Sequence, residues 1–147
     1  METAIGIVLL LVLTFSVVDA GMLFFAYLTL QNGVTEATRF AVTGQQAQDP
    51  NDPGNLLSRE DTVRRLVKAS TPGLGIRDDN EIDFQDVTNG PPGPRGMGGP
   101  DSVIQVTVTH QWQLLSPLFW PFVGNGGRIT LRASATMKNE PFPSSAS

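Results

Sequence analysis

The chain has no cysteine and only one histidine among its 147 residues. The lack of cysteine excludes disulfides, thiol catalysis and thiolate metal sites, so packing alone must stabilise the fold. Basic residues are also few, since 10 Lys and Arg face 14 Asp and Glu and the net charge is -4. Without a cluster of basic residues that would release counterions from phosphates, nucleic-acid binding is not expected.

Charge is also scarce in the N-terminal part of the chain. Between Glu2 and Glu36 the only charged residue is Asp19, and residues 4–30 are almost entirely apolar. A helix of this length, at about 1.5 Å per residue, measures roughly 40 Å, which exceeds the roughly 30 Å hydrocarbon core of a bilayer. We predict one N-terminal membrane helix.

A cleaved secretory signal is the alternative interpretation, but such a signal has a basic n-region and residues 1–3 contain no Lys or Arg. We therefore expect an uncleaved anchor. The first basic residue is Arg39, so the positive-inside rule does not orient the helix. Asp19 has two interpretations: it lies within the bilayer and faces protein or water, or the bilayer holds residues 3–18 and Asp19 lies at its interface.

Beyond the apolar part, the helix is predicted to continue as an amphipathic stalk to about Thr43. Gly44 stands at the position of a C-terminal cap, and apolar residues recur at helical spacing at Leu30, Val34, Ala37 and Ala41. We therefore predict that residues 1–44 form one helix, which anchors the chain in the membrane and continues as the stalk. Residues 45–57 contain Pro, Asp, Asn and Gly and are predicted to be a loop.

Residues 58–140 are predicted to form a small α+β head domain, followed by a flexible tail at 141–147. Ser58 and Asp61 have the spacing of a capping box, which predicts a short second helix over residues 59–70. Apolar and polar residues then alternate in three segments, which predicts an antiparallel sheet of about three strands, each with one buried face. These segments are residues 82–85, 104–109 and 129–138.

Two connections between the predicted strands are unusual. Residues 90–96 carry glycine at every third position, but a collagen helix needs many more repeats and three chains, so we predict an exposed flexible loop. Residues 114–123 are strongly apolar. Either they fold over the sheet as core, or they contact a partner or lipid. In the second case the contact residues are Leu118, Phe119, Trp120 and Phe122.

No set of residues predicts catalysis. By strand parity His110 lies on an apolar face, so we interpret it as a packed or rim histidine, and no Gly-rich phosphate loop follows a strand. An acidic cluster could offer oxygens to a hard cation, but it lacks the glycine and the distal glutamate of an EF-hand loop. We interpret it as a solvated turn and expect no catalytic residue, no metal and no cofactor. The cluster is Asp78, Asp79, Asn80, Glu81 and Asp83.

Both ends of the chain resemble one known family. The run Leu30-Gln31-Asn32, followed by Glu-Ala-Thr-Arg-Phe-Ala at 36–41 and preceded by Asp19-Ala20-Gly21, resembles the TadE-like family. These are pilin-like proteins of the Tad, or Flp-type, pilus machinery. The C-terminal stretches 106–109, 116–118 and 130–137 also resemble the ends of such proteins, and the middle of the chain stays unassigned.

This resemblance implies a minor pilin or pseudopilin that takes part in assembly of a Tad-type pilus used in adhesion. It implies a single-pass protein of the bacterial inner membrane with a periplasmic head, and leaves its incorporation into an extracellular pilus open. The implied partners are other pilin-like subunits and the Tad inner-membrane assembly machinery. Glu2 and Asp19 fall about where the family has acidic residues.

The resemblance also implies residues for subunit packing. Small and aromatic residues of the helix would contact other subunits, because small residues permit close approach and aromatic rings fill gaps. These are Ala20, Gly21, Phe24 and Phe25. In a filament core Glu2 would need a neighbour's positive N-terminus as its partner. The alternative for Glu2 is an ordinary solvent-facing acid.

Two departures from the family concern the N-terminal segment. Family members usually carry a short basic leader that is cut ahead of the acidic residue, and this sequence does not show one, so processing stays open. Val8 or a near neighbour replaces a common proline. The competing function is a membrane-tethered periplasmic binding domain that is not incorporated in a filament and uses residues 114–123 or the acidic cluster.

Overall fold

The computed structural model describes residues 2–50, 52, 54–76 and 78–141, and for Leu118 the backbone alone. Its longest element is the helix α1, Glu2–Val42. This helix contains no proline, and it ends close to the predicted residue because Gly44 takes a positive φ of 69°. The Gly44 amide donates to the Ala41 carbonyl at 3.2 Å, as in a glycine-capped helix end.

The second helix, α2, spans Arg59–Ser70, which confirms the prediction from the capping box. The Ser58 hydroxyl oxygen accepts a hydrogen bond from the Asp61 amide at 3.1 Å and so satisfies one of the free donors at the helix start. Between α1 and α2, a bridge joins Gln48 to Leu56. The predicted loop 45–57 is therefore closed at its base, and two of its residues, 51 and 53, lie outside the described residues.

Three antiparallel strands form one sheet in the order β1-β2-β3. They are β1, Ile82–Asp86; β2, Val103–Gln113; and β3, Arg128–Lys138. The register aligns Phe84 with Val106 and Val106 with Ala135. The predicted alternation is confirmed, because one face of each strand supplies buried residues: Ile82, Phe84, Ile104, Val106, Val108, Leu131 and Ala133. The fold is α+β, as predicted.

The C-terminal half of α1 lies in the core between this sheet and α2. Its buried residues recur at helical spacing on one face: Ala26, Leu30, Gly33, Val34, Ala37, Thr38 and Ala41. In contrast, none of residues 2–18 is buried. One continuous helix therefore has a core half, which belongs to the head, and a free half, residues 2–18, with an uncovered apolar surface.

Residues 90–96 are largely exposed, but their end is tied to the sheet. The Asp86 amide donates to the Pro94 carbonyl at 2.8 Å, and the Gly96 amide donates to the Phe84 carbonyl at 3.0 Å. This segment thus covers the outer edge of β1 and occupies backbone groups that would otherwise be open to another strand.

The end of α1 is joined to the rest of the head by polar contacts. The Arg59 guanidinium donates to the Ala41 carbonyl at 3.1 Å, and the Glu140 amide donates to the Val42 carbonyl at 2.9 Å. These donors satisfy carbonyls that a helix end leaves without partners. Burial lowers the pKa of Arg59 from its ordinary value. Of the predicted tail, residues 142–147 lie outside the described residues.

Gly33 permits the close approach of α1 and α2. A Cβ at this position would lie 2.6 Å from Thr71 Cγ2, and Thr71 cannot turn away without losing the hydrogen bond of its hydroxyl to the Val67 carbonyl. We expect Gly33→Ala to destabilise the head by about 1–3 kcal/mol through overpacking, partly offset by about 0.5–1 kcal/mol of helix propensity. Thermal unfolding of the full chain in detergent, followed by circular dichroism, measures this change.

Gly21→Ala is the matched control, because a Cβ at Gly21 would meet nothing within 4 Å. The gain in helix propensity should then leave the melting temperature equal or higher. If Gly33→Ala raised the melting temperature as Gly21→Ala does, the close contact between α1 and α2 would be wrong.

Candidate functional site

Asp19 is buried although it stands within the apolar part of α1, with only 6% of its surface exposed. It shares a helix face with Leu23, Ala26 and Leu30, which follow at intervals of four, seven and eleven residues. Because this face leads into the core of the head, helix geometry directs the Asp19 side chain towards the head.

Both carboxylate oxygens of Asp19 accept backbone hydrogen bonds from the chain between β2 and β3. Oδ1 accepts from the Leu115 amide at 3.0 Å, and Oδ2 accepts from the Ser116 amide at 3.1 Å. Ser116 precedes a 3-10 turn, Pro117–Phe119. An anion is favoured there, since amides at the start of a helical turn point outward without partners.

The residues after this turn form a compact loop. A single α-helical turn, α3, spans Trp120–Val123. The Trp120 indole Nε1 donates to the Leu114 carbonyl at 3.3 Å, and the Leu114 amide donates to the Gly127 carbonyl at 2.9 Å. Gly127 has a φ of 77°, and a Cβ there would lie 2.0 Å from Trp120 Cδ1, so the indole packs directly on its backbone.

This loop does not cover the sheet, so the interpretation of residues 114–123 as core is wrong except for Leu114 and Ser116, which are buried. Leu115 is 65% exposed and Phe122 is 85% exposed. We call the five apolar side chains that the loop presents outward the apolar tip: Leu115, Phe119, Trp120, Phe122 and Val123. The fourth predicted contact residue, Leu118, has no described side chain.

The apolar tip lies beside the free half of α1. A cleft of about 360 Å³ separates them and is lined by Leu115, Ser116 and Pro117 on one side. On the other side it is lined by α1 residues from one to three turns ahead of Asp19: Val8, Leu11, Val12 and Phe15. The loop therefore reaches along α1 past Asp19, in the direction of Glu2.

The predicted subunit-packing residues do not form one site. Glu2 is exposed in the first turn of α1, and Asp19 lies about 26 Å further along the axis. The remaining four are exposed: Gly21, Phe24 and Phe25 lie on the side of α1 away from the head, whereas Ala20 borders a cavity that Phe119 and Phe122 of the apolar tip also line. Their role in subunit packing stays a prediction, and Asp19 differs from them because its carboxylate is engaged within the chain.

The partners of Asp19 could not be found from the sequence. Backbone amides carry no residue signature, and Leu115 and Ser116 are about a hundred positions away from Asp19. The one local signal is the pair Ser116-Pro117, because proline favours the first position of a helical turn.

The members of the acidic cluster point to different partners. The Lys68 ammonium lies 2.7 Å from Asp79 Oδ1, and His110 Nδ1 lies 2.9 Å from Glu81 Oε2. Asp78 accepts from the Asn80 amide at 2.9 Å. These residues form a 3-10 turn ahead of β1, and His110 is buried on the inner face of β2. Within the part of the chain that the structure describes, no group of three His, Cys, Asp or Glu could hold a metal ion.

The ion pair between Lys68 and Asp79 should make stability depend on pH. The hydrogen bond from Lys68 holds the pKa of Asp79 below its ordinary value, so its stabilisation is present above about pH 4 and is lost as pH falls through the lower, folded pKa. Because both side chains are partly exposed, we expect a contribution of about 0.2–1 kcal/mol. Denaturant unfolding at a series of pH values measures it, and Asp79→Asn should reduce the slope in this acidic range. If Asp79→Asn left the dependence of the unfolding free energy on pH unchanged, the stabilising role of the Lys68–Asp79 pair would be contradicted.

Replacing Asp19 should release the loop from α1. Asp19→Asn keeps one oxygen but turns an NH2 group towards one of the two amides, which leaves a buried donor without an acceptor and costs about 1–3 kcal/mol. We expect a lower melting temperature and faster hydrogen exchange at Leu115 and Ser116. Ser16→Ala is the control one turn earlier, because the Ser16 hydroxyl only bonds the Val12 carbonyl of its own helix at 2.7 Å. Equal exchange rates in both variants would contradict the role of Asp19.

Comparison with known proteins agrees with the resemblance in the sequence. The family model described as TadE-like protein matches residues 1–39. No curated protein and no solved structure matches the chain. The matched segment lies almost wholly within α1, which is long and apolar enough to cross a membrane once, by length and composition. Over the segment that carries Asp19 and the free half of α1, the chain is thus similar to the TadE-like proteins, a family that indicates involvement in Tad pilus assembly.

Proposed function

We propose that this chain is a minor pilin or pseudopilin of a Tad-type pilus, held in the bacterial inner membrane with its head in the periplasm. It acts by packing α1 against other pilin-like subunits and not by catalysis. The observation that carries the proposal is the division of one unbroken helix into a core half and an exposed apolar free half.

The free half of α1 needs an apolar environment. Its side chains are largely uncovered, and leaving a Leu, Val or Phe in water costs about 1.5–3 kcal/mol each. Lipid satisfies this need while a subunit is stored in the membrane, and the helices of other subunits satisfy it in a filament. Because the same helix continues into the core of the head, the head moves together with the free half when that half passes from the membrane into a filament.

A second apolar surface supports contacts between helices. On the side of α1 away from the head, exposed apolar residues continue past Asp19 as far as Leu28. Gly21 lies on this side, where a Cβ would meet nothing within 4 Å, and Phe25 is 67% exposed. A small residue beside exposed rings lets another helix approach closely. Glu2, in the first turn of α1, would meet the positive N-terminus of a neighbouring subunit in such a packing.

The test is deletion of the gene followed by complementation. We expect the deletion to reduce piliation and adhesion and the wild-type chain to restore both. Phe25→Ala should restore piliation poorly, because it removes an apolar contact between helices. Pili are counted by electron microscopy, with the amount of protein in the membrane measured in parallel.

Leu56→Ala is the matched control for Phe25→Ala, since Leu56 is 61% exposed but lies in the loop after the C-terminal end of α1, bridged to Gln48. It should restore piliation fully. Normal pili in the deletion strain, together with a specific envelope defect, would overturn the proposal in favour of the membrane-tethered periplasmic binding domain.

A further inference from the structure

The apolar tip is exposed, yet it is among the least polar surfaces of the head. From residue 111 to residue 127 the sequence contains no ionisable side chain. Phe122 and Leu115 are mostly uncovered, whereas the apolar residues of the sheet are buried on its inner face. An exposed cluster of aromatic and aliphatic side chains on a small domain indicates a contact surface.

The backbone of the tip is suited to an environment with little water. The Leu115 and Ser116 amides donate to Asp19, and the Gly124 amide donates to the Trp120 carbonyl at 3.1 Å. The Gly127 amide donates to the Gly124 carbonyl at 2.8 Å. Non-helical backbone can approach lipid only when its polar groups are satisfied within the protein, and these bonds satisfy four amides of the loop.

The position of the tip along α1 identifies its partner. Leu115 and Pro117 line a cleft together with Val8 and Phe15, which belong to the free half. If the free half crosses a membrane, as the proposed function requires, residues at this level of the helix lie in lipid. The tip, which Asp19 holds at the same level, must then meet the same lipid.

We propose that the apolar tip is a second membrane-contact site, which inserts into the interfacial layer of the leaflet from which α1 emerges. Trp120 suits this layer, because an indole favours the boundary between headgroups and acyl chains. Arg128, the first charged residue after the tip, is exposed at the base of the loop, where its Nε donates to Gln113 Oε1 at 3.2 Å. There it is placed to meet lipid phosphates.

This contact would fix Asp19 at the membrane interface. The carboxylate would lie at the boundary between the headgroups and the hydrocarbon, with both oxygens satisfied by the loop. The chain would then contact this leaflet at two places, through α1 and through the apolar tip. The head would then be held close to the membrane surface in one rotation about α1, with the far side of the helix free for other subunits.

The experiment uses the two tryptophans of the full chain as depth probes. The chain is reconstituted into vesicles of phosphatidylethanolamine and phosphatidylglycerol that contain phosphatidylcholine brominated at defined acyl positions. Trp112→Phe leaves Trp120 as the sole probe, and Trp120→Phe leaves Trp112, in β2. We expect bromines near the headgroup to quench Trp120 more strongly than Trp112, which lines a cavity with Trp120 but is less exposed, and deep bromines to quench Trp120 less than shallow ones.

A second variant tests the tip without changing the probe. Phe122→Asp, in the chain that retains only Trp120, should lose most of the quenching, because a carboxylate is strongly disfavoured at this depth. Leu56→Asp, at an exposed apolar residue of the loop between α1 and α2, should leave the quenching unchanged. Equal effects of the two substitutions would overturn the inference.

A third probe separates this inference from the proposed function. Phe15→Trp in a chain without either native tryptophan reports on the free half of α1 and should be quenched by deep bromines. Quenching at Phe15→Trp without quenching of Trp120 would leave the membrane helix intact and overturn the tip contact. A Trp120 emission that shifts with the protein-to-lipid ratio and is not quenched by bromine would point to a second copy of the chain as the occupant, which also overturns it. No quenching at Phe15→Trp would overturn the membrane helix, and the proposed function with it.

Discussion

Everything in the head depends on the burial of the C-terminal half of α1. Leu30 and Val34 are fully buried between the sheet and α2, and among the described residues no other long element covers the inner face of the three strands. A sheet with one apolar face must bury that face against another element. The head therefore cannot fold without the helix that also carries the free half, so membrane attachment and head structure are properties of one element.

Asp19 marks the transition between the two halves of α1. An ionised carboxylate in an apolar helix is costly unless hydrogen-bond donors meet it. Here the donors come from the backbone of the β2–β3 loop, so the same contact satisfies the charge and fixes the loop. The acidic residue that the family resemblance suggested for contacts between subunits is thus engaged within its own chain, and it orients the surface that other molecules would meet.

Local patterns predicted the fold well because its burial is one-sided. Alternation in β2 and β3 and the capping box at Ser58 each reflect a single local constraint, and the elements follow. Long-range placement could not be predicted. Gly33 suggests a weak point in a helix when read alone, but it is the contact that admits Thr71. The apolar composition of residues 114–123 favoured core over a contact surface, and nothing in the local sequence reveals that the distant carboxylate of Asp19 holds this loop beside α1.

Because α1 is one continuous helix, a tilt at its N-terminal end is transmitted to the head at its C-terminal end. Glu2 lies at one end of the helix, and Glu140, bonded to Val42, lies at the other, roughly 60 Å away. No proline interrupts this length, and Gly33, the glycine at the contact with α2, is packed against Thr71. A tilt of about 20°, which is ordinary for a membrane helix, moves the far end of the head sideways by about 20 Å. A small change in the tilt of the free half therefore produces a large displacement at the far end of the head.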